Sequence, residues 1–116
     1  MSDAFDLDDI QPAMRNTVQW LRAMDLKTTD SGDGITNVAA GMEGALDIPH
    51  VFMVSSQALG FMEADLIWGA LKRLKIDKKE GVSVEMSYSP DDRIVILALY
   101  GVDDMLLSTA QGAREA

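Results

Sequence analysis

Apolar residues recur at helical spacing in two segments of the chain. The first runs from about Asp9 to Met24, where positions three or four apart form one apolar stripe, and acidic residues with Pro12 suit its start. The second follows a serine that can cap a helix, either Ser55 or Ser56. Its apolar positions are Leu59, Met62, Leu66, Ile67, Ala70, Leu71 and Leu74. These patterns predict two main helices.

A hairpin follows the second helix. From Val82 to Tyr88 every second residue is apolar, which predicts a strand with one face towards a core. Ser89-Pro90-Asp91-Asp92 is typical of a type I turn. The return strand, Arg93 to Tyr100, is apolar on both faces, as central strands usually are.

The other elements are shorter. Strands are predicted at Lys27–Asp30 and His50–Ser55, and the stretch between them, residues 31–47, has no convincing period. Loops of this length in compact domains are usually functional or poorly ordered. Asp103 suits the cap of a short last helix from Met105 to Ala110.

This order of elements predicts the fold class. Helix, strand, loop, strand, helix, hairpin and short helix favour an α+β two-layer sandwich, with a mixed or antiparallel sheet of three or four strands, two main helices and a short C-terminal helix. The length of 116 residues suits a single domain, 1–116, in which 1–8 and 111–116 should fray. Because the return strand needs cover on both faces, we expect a short helix or a second copy of the chain there, the latter giving a homodimer.

Charge and composition exclude several classes of function. The net charge is −9, so direct binding to nucleic acid is not expected. No cysteine is present, which excludes disulfides and thiolate sites. No signal peptide or apolar membrane span is recognisable, so we expect an intracellular protein without membrane contact. The basic residues that do cluster, near the end of the second helix, are interpreted as cations at a helix C-terminus. They are Lys72, Arg73, Lys75, Lys78 and Lys79.

The candidate site lies between residues 26 and 56. This stretch holds the densest turn chemistry and the single histidine of the chain. If the glycine-rich connection folds back onto the strand start, the two aspartates should converge with the imidazole. The candidate ligand-binding residues are Asp30, Ser31, Gly32, Asp33, Gly34 and His50.

These residues could support three chemistries. A hard cation could be held by carboxylates from Asp30, Asp33, Glu43 and Asp47 with His50, although their spacing matches no ligand code. Backbone amides of the glycines could cradle phosphate, but a P-loop lysine is missing. Ser31, His50 and an aspartate could form a triad on paper, without a nucleophile elbow. Asp-Gly pairs make turns without any ligand, which is the favoured interpretation, and no cofactor is predicted.

The sequence also resembles a group of small uncharacterised proteins encoded by bacteriophages and prophages. The similarity rests on Thr28-Thr29-Asp30-Ser31-Gly32-Asp33-Gly34, on Ile48-Pro49-His50-Val51 and on Tyr88-Ser89-Pro90-Asp91, within about residues 18–107. It implies a helix, a T-x-D-S-G-D-G loop, a P-H-V strand, a helix and a hairpin. It also implies a phage origin and the host cytoplasm, and it carries no activity.

Three functional hypotheses follow. The first is a non-enzymatic phage accessory protein that binds a small ligand or a host protein through residues 28–50. The second is a small metal-dependent or hydrolytic enzyme that uses Asp30, Asp33 and His50. The third is a virion or assembly component whose sheet face is buried by other subunits.

Overall fold

The structure is a computed structural model that describes the backbone of residues 7–115 and the side-chain surroundings of residues 8–112. Two short 3-10 helices, Leu7–Asp9 and Pro12–Met14, precede the first α-helix. The helices and strands that follow are α1 (Arg15–Arg22), β1 (Lys27–Gly32), α2 (Thr36–Ala39), β2 (His50–Ser56), α3 (Gly60–Arg73), β3 (Ser83–Ser89), β4 (Ile94–Tyr100) and α4 (Asp104–Glu115).

The strands form one antiparallel sheet in the order β1-β2-β4-β3. Strand β4 is central and pairs along its whole length with β2 and β3. Strands β1 and β3 are the two edges. The predicted α+β class is therefore confirmed, and the sheet is antiparallel with four strands.

The core lies on one face of the sheet, beneath α1, α3 and α4. Val51 and Met53 of β2 lie beside Leu99 and Leu97 of β4, and all four are fully buried or nearly so. Apolar residues of the helices complete this core. They include Met14, Val18, Leu21, Ile67, Leu71 and Leu107. We call the other side of the sheet the open face, because α1, α3 and α4 do not cover it.

Aspartate side chains accept hydrogen bonds from backbone N–H groups at the starts of α1 and α4. The carboxylate of Asp104, in α4, accepts hydrogen bonds from the backbone N–H groups of Asn16 and Thr17 and from the Thr17 hydroxyl. It thereby satisfies donors in the first turn of α1, which have no partner within that helix. Asp103 Oδ1 accepts the N–H of Leu106, as the predicted cap should. Ser56 Oγ accepts the N–H of Leu59 in the turn before α3, but Leu59 is the N-cap of that helix, so the predicted serine cap is wrong.

Several boundaries differ from those predicted. The first helix is shorter, because the chain enters through 3-10 turns and α1 begins only at Arg15. Strand β1 reaches Gly32, so part of the glycine-rich stretch is sheet rather than loop. The last helix is not short: it has 12 residues and ends at Glu115. Residues 1–6 and 116, where fraying is also predicted, lie outside the described residues.

Candidate functional site

Asp33 organises the connection between β1 and β2. Its Oδ1 accepts the N–H groups of Ile35 and Thr36 at 2.8 and 2.7 Å, and its Oδ2 accepts the Thr36 hydroxyl at 2.6 Å. The N–H of Asp33 donates to Oε1 of Gln11, whose Nε2 donates to Oδ1 of Asn37. This carboxylate therefore has the turn role that an Asp-Gly sequence predicts.

These contacts also set the pKa of Asp33. Partial burial, the largest single effect, raises the pKa. The hydrogen bonds from Thr36 and from the backbone N–H of Ile35 together outweigh it, so the pKa lies below its ordinary value near 3.8. Asp33 is therefore a charged acceptor at neutral pH, and its oxygens are already occupied by donors of the same loop.

Gly34 brings the two ends of the connection together. It has a φ of +80°, and a Cβ added there would lie 2.6 Å from the carbonyl carbon of Ile48 and 2.8 Å from the nitrogen of Pro49. Only glycine allows this close backbone approach together with a positive φ. The connection thus returns to the start of β2, as the sequence predicts.

His50 lies at the first position of β2, on the open face, and is almost completely buried. Its Nδ1 lies 3.0 Å from the carbonyl oxygen of Ile48, so a proton on Nδ1 is donated to that carbonyl. The ring rests on Gly32, where a Cβ would come within 2.5 Å of Cε1. The Phe52 ring is 5.2 Å from the imidazole, and the Tyr100 ring meets Phe52 edge-on at 6.2 Å. We call His50, Phe52 and Tyr100 the aromatic cluster.

A β-bulge decides which candidate residues share the face of His50. The register of β1 against β2 shifts by one residue between Thr28 and Asp30. After the shift, Asp30 pairs with Phe52 and Gly32 with His50 on the open face, whereas Ser31 pairs with Val51, whose row faces the core. Asp30 is therefore a diagonal neighbour of His50, and Ser31 lies on the opposite face of the sheet.

The six candidate residues are thus close in the chain without forming one pocket. Asp30 Oδ1 accepts the adjacent N–H of Ser31, and neither Asp30 nor Asp33 bonds to the imidazole among the contacts of the described residues. Ser31 cannot use His50 as a base across the sheet. Among the described residues, no three carboxylate or imidazole groups are placed to hold a metal ion. Ligand binding at these residues stays a prediction.

Sequence reasoning missed the exposed apolar side chains of the connection. Ile35 is 71% exposed, Met42 is 57% exposed, and Val38 and Leu46 are exposed as well. These four residues follow no helix or strand period, so no pattern singles them out. The signal that could have found them is compositional, because large apolar side chains are unusual in a turn-rich segment that is predicted to be a loop.

The basic cluster borders a cavity formed by the end of α3 and by α4. Arg73, Lys75 and Lys79 line a cavity of about 430 Å³ between the end of α3 and α4, together with apolar groups such as Leu106 and Ala110. Arg73 lies in the last turn of α3, where cations are favoured by the helix dipole. This agrees with the interpretation made from sequence.

Comparisons with known proteins do not assign the chain to a family. No protein-family model, curated protein or solved structure matches the chain. No helix among the described residues combines the length and apolar character needed to cross a bilayer.

Proposed function

We propose that the chain is a non-enzymatic accessory protein of phage origin that binds a host protein in the cytoplasm. Its binding surface would be the 33–49 connection together with the aromatic cluster. The observation that carries this proposal is the exposure of Ile35, Val38, Met42 and Leu46 on a segment held by specific hydrogen bonds.

Order in this segment favours binding. Asp33 closes one end of the connection, Gln11 ties it to the N-terminal region, and Gly34 packs on the chain just before β2. A partner would therefore meet apolar side chains on a preorganised backbone, and would lose little free energy in ordering it. The aromatic cluster begins at the same end of β2 and extends the surface onto the open face.

A protein partner fits this surface better than a small ligand. Small ligands bind in concave sites with a few converging polar groups. Here the carboxylate of Asp33 already accepts hydrogen bonds within the turn, and Ser31 faces the core. Exposed apolar side chains beside aromatic rings are typical of protein interfaces. Ser31 and His50 lie on opposite faces of the sheet, so these two candidate residues do not supply the enzymatic alternative with a nucleophile beside a base.

The test compares two double variants in affinity capture from a lysate of the bacterial host. Ile35→Ser with Met42→Ser should reduce recovery of a specific host protein at least tenfold, as measured by quantitative mass spectrometry. Because both side chains are exposed, the melting temperature should not change.

The matched control is Met62→Ser with Met105→Ser, which removes equally exposed apolar groups from α3 and α4. It should retain the host protein. Equal loss in both double variants would show non-specific apolar adsorption and would contradict the proposal. Turnover of a phosphodiester or nucleotide panel with added metal would instead support the enzymatic alternative.

A further inference from the structure

The outer edge of β3 is a second surface that the proposed function does not use. Residues 83–89 pair with β4 on one side only, and β3 is the last strand of the sheet. Its other side presents unpaired backbone N–H and C=O groups, which can pair with another strand. It is the opposite edge from β1 and the 33–49 connection.

The two edges of the sheet differ in how they resist such pairing. Strand β1 carries a bulge between Thr28 and Asp30, and two charged side chains, Lys27 and Asp30, lie on it. Bulges and edge charges are the usual protection against edge-to-edge association. Strand β3 pairs with β4 without a register shift, and Glu85 is its single charge.

The sequence of β3 is symmetric about its centre. Ser83-Val84-Glu85-Met86-Ser87-Tyr88-Ser89 alternates polar and apolar residues, and the alternation is the same in either direction from Met86. When two such strands pair antiparallel about a twofold axis at Met86, all seven positions find a partner. Apolar residues then oppose apolar ones on one face, and polar residues oppose polar ones on the other.

Apolar side chains of α3 project beside this edge. Phe61 is 73% exposed and borders a cavity of about 280 Å³ that is also lined by Gln57, Met86, Tyr88 and Val95. Met86 and Tyr88 lie on the row that faces the helices, yet both are exposed. A strand added at the edge would extend the sheet beneath Phe61 and bury this row.

We propose that a second copy of this chain occupies the edge, through antiparallel β3–β3 pairing centred on Met86. In this register Glu85 lies opposite Ser87 of the second copy, and Val84 opposite Tyr88 of the second copy. Shifting the axis to Glu85 would place two carboxylates opposite each other, which is destabilising, and would leave fewer residues paired. The charge of Glu85 and the number of paired residues therefore both favour the register centred on Met86.

The net charge of the chain predicts how this dimer responds to salt. Each copy carries −9, so the two copies repel each other over the whole surface. Added salt screens this repulsion. We expect the dimer to tighten with ionic strength, which is the opposite of an interface held by ion pairs.

Cysteine cross-linking tests the register, because the natural chain has no cysteine. Glu85→Cys and Ser87→Cys variants are prepared separately, mixed and oxidised. Directly opposed residues lie about 4.5–5.5 Å apart between Cα atoms, so the mixture should yield a disulfide-linked heterodimer. Two copies of the same variant would place their cysteines roughly 8 Å apart, beyond disulfide reach, so neither variant alone should cross-link.

Sedimentation equilibrium tests the dimer itself. The wild-type chain should show a concentration-dependent dimer, and Met86→Lys should be monomeric with an unchanged circular-dichroism spectrum, because it places two like charges on the axis. Met105→Lys, an exposed change on α4, should still dimerise. A wild-type chain that is monomeric throughout, a dimer that survives Met86→Lys, or cross-linking by Glu85→Cys alone would each overturn the proposal.

Discussion

The two faces of the sheet can be compared within strand β4, where consecutive side chains lie on opposite faces. Leu97 is fully buried beneath the helices, whereas its neighbour Ile96 is 37% exposed on the open face. Both side chains are large and aliphatic, and both lie on a central strand. Residue type alone therefore does not separate them, and the difference lies in what the rest of the chain places over each face.

The apolar return strand, β4, was expected to be covered on both faces of the sheet. The helices supply cover for one face only. On the open face, side chains are partly buried by their neighbours in the sheet, as His50 is by Phe52 and, beyond it, Tyr100. An apolar stripe that the fold does not fully cover can remain available to a partner. The homodimer expected through this face stays a prediction, separate from the β3 edge.

The largest expected effect comes from truncation on the covered face. Leu97→Ala should lower the free energy of unfolding by about 2–5 kcal/mol, because it loses buried apolar surface and leaves a cavity. Chemical denaturation followed by circular dichroism measures this loss. Ile96→Ala, the matched control one residue away, should cost about 1 kcal/mol. Equal losses for the two variants would contradict the distinction between the faces.

A smaller effect is expected where the open face is most tightly packed. In Gly32→Ala the new Cβ would meet the imidazole of His50, so the variant should lose about 1–3 kcal/mol through overpacking. Adding His50→Ala removes the obstructing ring. The double variant should therefore be more stable than the sum of the two single changes predicts. Simple additivity in thermal or chemical unfolding would show that the ring does not rest on Gly32.

The smallest expected effect concerns the turn at Asp33. Asp33→Ala removes the acceptor for Ile35 and Thr36 and should cost about 1 kcal/mol, as the loss of a cap usually does. Because the pKa of Asp33 is lowered on folding, the carboxylate stabilises the folded chain above its ordinary pKa near 3.8. That contribution is lost as the pH falls through the folded-state value. The difference between Asp33→Asn and the wild type should therefore shrink in acid, as measured by denaturation at several pH values.

Local sequence signals predicted the face that side chains occupy in β3, the central position of β4 and one helix cap. The alternation of Val84, Met86 and Tyr88 placed them correctly on the helix-facing row of β3, and the apolar return strand was correctly predicted as central. Asp103 was correctly predicted as a cap. These are local signals, since the chain's own spacing sets which side each residue occupies.

The arrangement of the candidate site could not be predicted in the same way. With β1 and β2 paired without a bulge, Ser31 would share the face of His50, and Asp30 would turn towards the core. One extra residue after Thr28 reverses this arrangement. No side-chain pattern marks that residue, because the shift arises from the pairing of two strands rather than from either strand alone.

The bond between Asp104 and α1 has a consequence for how the protein is made. Helix α1 leaves the ribosome early, but the acceptor for the N–H groups of Asn16 and Thr17 is translated 87 or 88 residues later. These donors of α1 therefore lack the Asp104 carboxylate until residue 104 has been synthesised. Forming this contact requires closure of a loop of 87 or 88 residues, and contacts of such high sequence separation slow folding.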